Sequence, residues 1–175
     1  MPTSSPLQTD RLILRPLVLG DLDDMLGIWG NPVAMRYYPG TRSREELAGM
    51  VERSQKSYER DRTGFYALID RASAAWIGQC GLLWQEVDSV FELEIGYQCK
   101  PRYWRQGYAS EAALRLRDFA FTELRRQHLI SLIRPTNEAS QGVARKIGMK
   151  FWKQSVYKTL EVDVFRIDRA QWEKR

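Results

Sequence analysis

The chain has 175 residues, about the size of one domain, which is enough to bury a core without disulfides. With 43% hydrophobic and 28% charged residues, its composition excludes a disordered chain. No run approaches the roughly 18 apolar residues of a membrane span, and segment 1–6 (MPTSSP) lacks the charged start and apolar run of a signal peptide. We therefore expect one domain over residues 1–175, in the cytoplasm and not in a membrane.

The charge balance favours anionic partners. The 27 basic and 22 acidic side chains leave a net charge of +5, and this excess keeps both a polyphosphate ligand and an RNA surface open. Cys80 and Cys99 lie in strand-like sequence without CxxC spacing, and only His128 is available as a further soft ligand. Neither a disulfide framework nor a metal site is expected.

The first third of the chain predicts a strand and two helices. Alternating apolar residues at the start of 11–18 predict a half-buried strand. Asp21 is expected to cap a short amphipathic helix that ends at Gly30. The capping box at 43–46 (SREE) begins a second, longer helix, which the spacing carries to Gly64.

The middle of the chain predicts an antiparallel meander of three strands, at 65–70, 75–84 and 90–99, with loops at 71–74 and 85–89. In the last strand, alternation places Glu92, Glu94 and Gln98 on one face. This strand carries the candidate chemistry.

The last part predicts a long helix at 108–126, a strand at 128–134, a helix at 137–147 ended by Gly148, and a hairpin made of 149–160 and 161–167. Strands and helices do not alternate strictly. We therefore expect an α/β (α+β) fold with a mixed, mostly antiparallel sheet of about seven strands flanked by about four helices.

The junction between the Glu94 strand and the long helix is a candidate anion site. The first N–H groups of a helix have no internal partner and point outward, and a glycine lets a phosphate approach them. The amides belong to Gln106, Gly107, Tyr108, Ala109 and Ser110, and Lys100, Arg102 and Arg105 add positive charge nearby. A tight turn with solvated arginines is an equally open interpretation. The glycine patterns of the Walker loop and of the dinucleotide fingerprint are both absent from this junction.

Four ordered motifs span almost the whole chain: TDRLILR at 9–15, EIGY at 94–97, YWRQGYASEA at 103–112, and NEAS at 137–140 leading to KIGM at 146–149. In these motifs the chain resembles the GNAT superfamily of acyl-CoA-dependent N-acetyltransferases, and most closely its ribosomal-protein N-terminal alanine acetyltransferase-like branch. Gly107 and Ala109 match the last two fixed positions of the family's pyrophosphate loop, whereas Trp104 stands at its Arg/Gln position.

The resemblance implies how acetyl-CoA is bound. The amides near Gly107 would hold the pyrophosphate, and the fourth and fifth predicted strands would part to admit the pantetheine arm. Backbone groups near Tyr97, Gln98 and Cys99 would pair with that arm, and Asn137 resembles the family asparagine that hydrogen-bonds it. The alternative role for Asn137 is helix capping.

Acetyl transfer to an amine also needs a proton acceptor and a proton donor. Glu94 resembles the family's glutamate and is the expected base, with the nearby Glu92 charge expected to raise its proton affinity. Solvation of both carboxylates on an exposed face is the alternative. Ser140, or less securely Tyr157, would protonate the leaving thiolate, and Cys99 is disfavoured as an acylated nucleophile.

The sequence thus predicts a metal-free acetyltransferase acting by direct attack of a primary amine. The acceptor, a protein N-terminus such as that of a ribosomal protein or a small-molecule amine, would meet residues 35–38 and 156–161, although packing is the favoured role of Tyr37 and Tyr38. Two other functions stay open: a non-catalytic acyl-CoA-binding module, and an RNA- or ribosome-binding domain with Arg125-Arg126 in its basic patch. A homodimer is also left open.

Overall fold

The structure is a computed structural model that describes residues 6–174. The segment 1–5, part of the stretch used above to argue against a signal peptide, lies outside the described residues. The strands are β1 (Leu7–Gln8), β2 (Leu12–Pro16), β3 (Gly64–Asp70), β4 (Trp76–Val87), β5 (Val90–Cys99), β6 (His128–Ile133), β7 (Lys150–Tyr157) and β8 (Leu160–Asp168). They form one sheet in the order β1-β2-β3-β4-β5-β6-β8-β7, in which only β5 and β6 pair in parallel.

The helices are α1 (Leu22–Trp29), α2 (Arg44–Asp61), α3 (Tyr108–Thr122), α4 (Glu138–Lys146) and α5 (Arg169–Trp172). The expected mixed, mostly antiparallel sheet flanked by helices is confirmed. The additional elements are the two-residue strand β1 and the single turn α5, both too short to leave a periodic pattern in the sequence.

The start of α2 agrees with its sequence signal, whereas the start of α1 does not. Ser43 Oγ accepts the Glu46 N–H at 3.2 Å, and Glu46 Oε2 accepts the Ser43 N–H at 2.8 Å. Asp21 precedes α1 without capping it, because its carboxylate accepts from the Arg15 guanidinium and the Val18 N–H. The prediction of an Asp21 cap was wrong, since tertiary pairing takes the side chain.

Two helices end earlier than periodicity predicts. α2 ends at Asp61, where Arg62 turns into the left-handed region with φ of 61°, and α3 ends at Thr122, ahead of Arg125 at φ of 53°. The predicted loop at 85–89 was also wrong. β4 continues to Val87, and only the two residues of the Asp88-Ser89 turn, with φ of 49° and 64°, join it to β5.

The core lies on both sides of the central strands. The small-residue face of α3 packs against the sheet as the sequence predicts, and four of its residues are fully buried: Ala112, Ala113, Leu116 and Ala120. A second cluster joins α1 and α2 to the opposite side of β3 and β4. None of the helices in residues 6–174 is long and apolar enough to cross a membrane.

The sheet curls so that its edge strand β7 lies against the β4–β5 hairpin. Ser155 Oγ donates to Asp88 Oδ1 at 2.7 Å, and Lys153 Nζ pairs with the same carboxylate. These contacts bring β7 over the ends of β4 and β5, although β7 pairs only with β8.

Candidate functional site

The main cavity of the described residues has a volume of about 800 Å³ and lies where β5 and β6 part, beneath α2 and the β7–β8 hairpin. Six of the residues predicted from the sequence line it: Glu94, Tyr97, Gln98, Asn137, Ser140 and Tyr157. The other predicted residues, Cys99, Arg102, Arg105, Gln106, Gly107, Tyr108, Ala109 and Ser110, do not line this cavity. The structure therefore divides the predicted site into a cavity and a separate loop.

The parallel pairing of β5 with β6 consists of a single register pair, Glu94 with Ile130. Beyond it the strands diverge, so backbone groups on the facing edges are available to a ligand. Next to the point where the strands part, which we call the apex, Ser131 Oγ donates to the Ile95 carbonyl at 2.7 Å. This bond satisfies the buried acceptor without closing the strands. This opening fits a slender chain with amide groups.

Glu94 lies at the apex of this opening. Its Oε2 accepts from Gln85 Nε2 at 2.8 Å, and its Oε1 accepts from the Leu132 N–H at 3.3 Å. Burial removes water from the carboxylate and raises the pKa of Glu94, while the two hydrogen bonds and the charge of Lys158 oppose that shift. A carboxylate with raised proton affinity that opens on a cavity is suited to accept a proton from an amine.

The expected effect of Glu92 on Glu94 was wrong. Glu92 is only 7% exposed, and its carboxylate is hydrogen-bonded to the His128 imidazole. Burial is the main cause of the raised pKa of Glu94, and Glu92 does not contribute to it. Neither carboxylate is solvated on an open sheet face.

Gln85 is a site residue that sequence reasoning missed. Its amide donates to Glu94 and its carbonyl oxygen accepts from the Tyr157 hydroxyl, so one side chain connects two of the three predicted catalytic residues. The pKa of Tyr157 is raised to about 12 by burial and by the charge of Glu94. Strand register was the available signal. If the strand continues through residue 85 to a two-residue turn, Leu83 pairs with Glu94, and Gln85 becomes the diagonal neighbour of Glu94 on the same face.

Asn137 and Ser140 lie at the start of α4, facing the opening. Asn137 Oδ1 caps the helix by accepting the Ser140 N–H at 3.2 Å, and the Ser140 carbonyl accepts from the Tyr97 hydroxyl at 2.7 Å. The capping role of Asn137 is therefore present, and its two amide hydrogens stay available for another partner.

The loop after β5 is built to present main-chain donors. Gly107 has φ of 83° and precedes α3, whose internal bonding begins when the Glu111 N–H reaches the Gly107 carbonyl at 3.0 Å. The amides of residues 108–110 therefore have no helical acceptor. Arg102 and Arg105 are exposed beside them, whereas Lys100 is paired with Asp24 and does not add free charge to the loop, contrary to expectation.

Two residues outside the loop hold it in place. Arg11 Nη1 donates to the Gln106 carbonyl at 3.0 Å, and Arg11 Nε pairs with Glu111 at 2.7 Å. The same guanidinium lies 4.2 Å from the centroid of the Tyr108 ring. Trp104, which stands where the family pattern has Arg or Gln, donates its Nε1–H to the Cys99 carbonyl at 2.8 Å. The loop conformation thus depends on the Arg11 side chain before β2, on Glu111 of α3 and on the backbone at the end of β5.

Aromatic and charged side chains also line the cavity. Tyr37 and Tyr38 both line it, and Tyr38 also packs against Trp29 with ring centroids 5.8 Å apart. Tyr38 therefore has the packing role that the sequence favoured, and it also forms part of the cavity wall. Arg53 from α2 and Lys158 from the β7–β8 turn add positive charge.

Cys99 is unsuited to nucleophilic catalysis. It is 7% exposed, and burial raises the pKa of its thiol to about 12, so thiolate is scarce at neutral pH. Cys80 is buried next to it, and neither forms a disulfide.

Comparison with known proteins decides the family. The family model described as "Acetyltransferase (GNAT) domain" matches residues 11–150. The chain belongs to the GNAT acetyltransferase family. A relative, the uncharacterised protein YkkB of Bacillus subtilis, is 32% identical over 154 residues, covering 87% of this chain and 90% of YkkB.

Solved acetyltransferase structures share the fold. An acetyltransferase from Agrobacterium tumefaciens has a TM-score of 0.82 at 25% identity, covering 95% of this chain and 96% of its own. The ribosomal L7/L12 alpha-N-protein acetyltransferase RimL, in complex with coenzyme A, has a TM-score of 0.77 at 16% identity, covering 94% and 98%. At that identity the second likeness concerns the fold alone.

Proposed function

We propose that this chain is an acetyl-CoA-dependent N-acetyltransferase that acetylates a primary amine by direct attack on the thioester. The observation that carries the proposal is Glu94, a carboxylate of raised pKa at the point where β5 and β6 part, facing a cavity of about 800 Å³. Membership of the GNAT acetyltransferase family agrees with this chemistry.

The donor would be held at two places. Its pyrophosphate would meet the N–H groups of residues 107–110, with Arg102 and Arg105 adding charge, and its pantetheine amides would pair with strand edges near Tyr97 and Gln98. The side-chain amide of Asn137 faces the same opening. In this arrangement the thioester would lie toward the apex, near Glu94.

Proton transfer would then use residues on either side of the thioester. An attacking amine is mostly protonated at neutral pH, so Glu94, directly or through water, would take its proton. Ser140 is the better candidate donor to the departing thiolate, because the Tyr157 hydroxyl is already bonded to Gln85 on the Glu94 side. Tyr157 would instead hold Gln85, and through it Glu94, in position.

The acceptor is a protein N-terminus or a small-molecule amine. The ribosomal-protein acetyltransferase-like branch is the finer form of this proposal, and it rests on the sequence motifs together with fold neighbours such as RimL. Tyr157, Lys158 and Leu160 of the predicted acceptor segment 156–161, together with Tyr37 and Tyr38, line the cavity that such an acceptor would enter.

The test measures thiol release from acetyl-CoA with a panel of amines and N-terminal peptides, for the native protein and Glu94→Gln. We expect native turnover with at least one acceptor, and a loss of about 100-fold or more in kcat for the variant. Coenzyme binding by calorimetry should be unchanged. Coenzyme binding without any thiol release would favour the non-catalytic module, and steeply salt-dependent RNA binding would favour the RNA-binding alternative.

A further inference from the structure

Two of the three carboxylates that line the cavity are already bonded to the protein. Glu46 accepts from the Arg42 guanidinium at 2.9 Å and from the Ser43 N–H at 2.8 Å. Glu94 holds the two hydrogen bonds described above, and the third carboxylate, Glu45 at the start of α2, is exposed to solvent. An incoming ligand therefore meets acidic side chains that are either bonded to the protein or hydrated.

Two cations of the same cavity have no such partner. Within residues 6–174, neither Arg53 nor Lys158 forms an ion pair with a carboxylate. Arg53 folds back along α2, and its Nη1 would lie 3.2 Å from a Cβ placed on Gly49, so the missing side chain of that glycine leaves room for the guanidinium. Lys158 lies in the tight β7–β8 turn with φ of 45°, and its Nζ is 5.1 Å from the centroid of the Tyr157 ring.

These cations are far from the proposed phosphate loop. Five residues of β5 separate Glu94 from Cys99, which corresponds to about 17 Å of extended strand. Lys158 follows Tyr157, which is bonded through Gln85 to Glu94, so its turn belongs to the apex end of the cavity. Arg102 and Arg105 supply charge at the loop end. Arg53 precedes Ser54, whose backbone packs against Gly64, and Gly64 pairs with Leu82, which pairs in turn with Ile95 beside Glu94. Both cations therefore lie toward the Glu94 end of the cavity, where an acceptor would bind.

We propose that the acceptor is a primary amine that also carries a carboxylate, with Arg53 and Lys158 holding the carboxylate while the amine reaches Glu94. This inference rests on the proposed function. An ammonium-bearing acceptor such as a diamine would bring a second positive charge toward two unpaired cations, whereas a carboxylate would form charge-assisted hydrogen bonds with them.

The experiment uses two matched sets of acceptors. The first contains 5-aminovalerate, 5-aminovaleramide and 1,5-diaminopentane, which share a chain length and differ in the charge of the far end. The second contains the C-terminally amidated dipeptides Ala-Glu, Ala-Gln and Ala-Lys, which present the same three charges beside a peptide N-terminus. Comparison of the sets distinguishes a small amino acid from a protein N-terminus as the source of the carboxylate.

We expect kcat/KM to be about tenfold higher for the carboxylate member than for the amide member of the better set, the size of one charge-assisted hydrogen bond. Arg53→Gln and Lys158→Gln should each reduce that preference severalfold. The matched control is Lys56→Gln, an exposed lysine of α2 outside the cavity lining, which should keep it. Thermal unfolding checks that all three variants stay folded.

Equal or better turnover of the diamine or the lysine peptide would overturn the inference and leave the proposed function standing. A carboxylate preference that survives both substitutions would also overturn it, because the carboxylate would then be bound elsewhere. Absence of turnover with both sets would count against both proposals, and calorimetry with acetyl-CoA would then show whether the donor site fails as well.

Discussion

The two ends of the site use different parts of the chain to bind. At the loop end, main-chain amides around Gly107 face outward, and their geometry is fixed by Arg11 and Glu111. At the apex end, the proposed chemistry would come from side chains such as Glu94 and Lys158. If these roles hold, changes of backbone conformation should affect donor binding most, whereas changes of side chain should affect acceptor use most.

The largest effect should come from the loop backbone. Gly107→Val places a branched side chain at φ of 83°, a conformation that such residues avoid, and the new Cβ would approach Arg11 Nη2 at 3.4 Å. We expect acetyl-CoA binding to be lost in calorimetry while the circular dichroism spectrum is retained. Gly142→Ala is the matched control, since a Cβ there meets nothing within 4 Å, and it should bind normally. Unchanged affinity in Gly107→Val would mean that the phosphate site is misplaced.

At the apex, the pH dependence of the reaction should follow Glu94. A base works only when ionised, and burial raises the pKa of this carboxyl, so kcat/KM should rise with pH through a pKa above the usual glutamate value. Glu94→Gln should remove that acidic limb along with about 100-fold or more of the rate at neutral pH. A limb that persists in the variant would assign the titration to another group.

The Gln85 bridge should have an intermediate effect. Gln85→Met keeps the side-chain volume but removes both the donor to Glu94 and the acceptor for Tyr157, and we expect kcat to fall about tenfold with little change in the KM for acetyl-CoA. Gln154→Met, on exposed β7, is the control and should behave as the native enzyme. Equal kcat values in the two variants would show that Glu94 needs no positioning.

The clamp on the loop should have a smaller effect, confined to the donor. Arg11→Lys loses the forked contacts to Glu111 and Gln106, so we expect the KM for acetyl-CoA to rise about fivefold at unchanged kcat. Because Glu111→Gln weakens the same contact, the double variant should show less than the sum of the two free-energy changes. Additive effects would mean that the two residues act independently.

The smallest effect should be on stability. A carboxyl whose pKa is raised by folding is most favourable to the native state at low pH, and its contribution is lost as the pH rises through the folded-state pKa. Above that pKa the native protein bears the free-energy cost of a buried ionised carboxylate, and Glu94→Gln removes this cost. We therefore expect a slightly higher unfolding temperature for the variant than for the native protein at pH 7, with the difference disappearing near pH 4. Calorimetric scans at the two pH values check the sign.

The sequence predicts the backbone of the loop end better than the side chains of the apex. A glycine at a strand-to-helix junction commonly takes a positive φ, and Gly107 does so. Gln85 was predicted in a loop because the residues directly after Trp84 are polar, although the strand continues through them. Only the register with β5 shows that Gln85 lies beside Glu94. The pairing of Glu92 with His128 joins residues 36 apart, so local sequence carries no signal for it.

The return of β7 to the β4–β5 hairpin has a consequence for comparing relatives and for engineering. The Tyr157 hydroxyl reaches Gln85, and Ser155 and Lys153 reach Asp88, so the terminal hairpin bears on the same strand pair that carries Glu94. Grafting the terminal hairpin of another family member onto this chain would exchange the proposed acceptor contacts and also alter the surroundings of Glu94, unless residues 85 and 88 are grafted together with it.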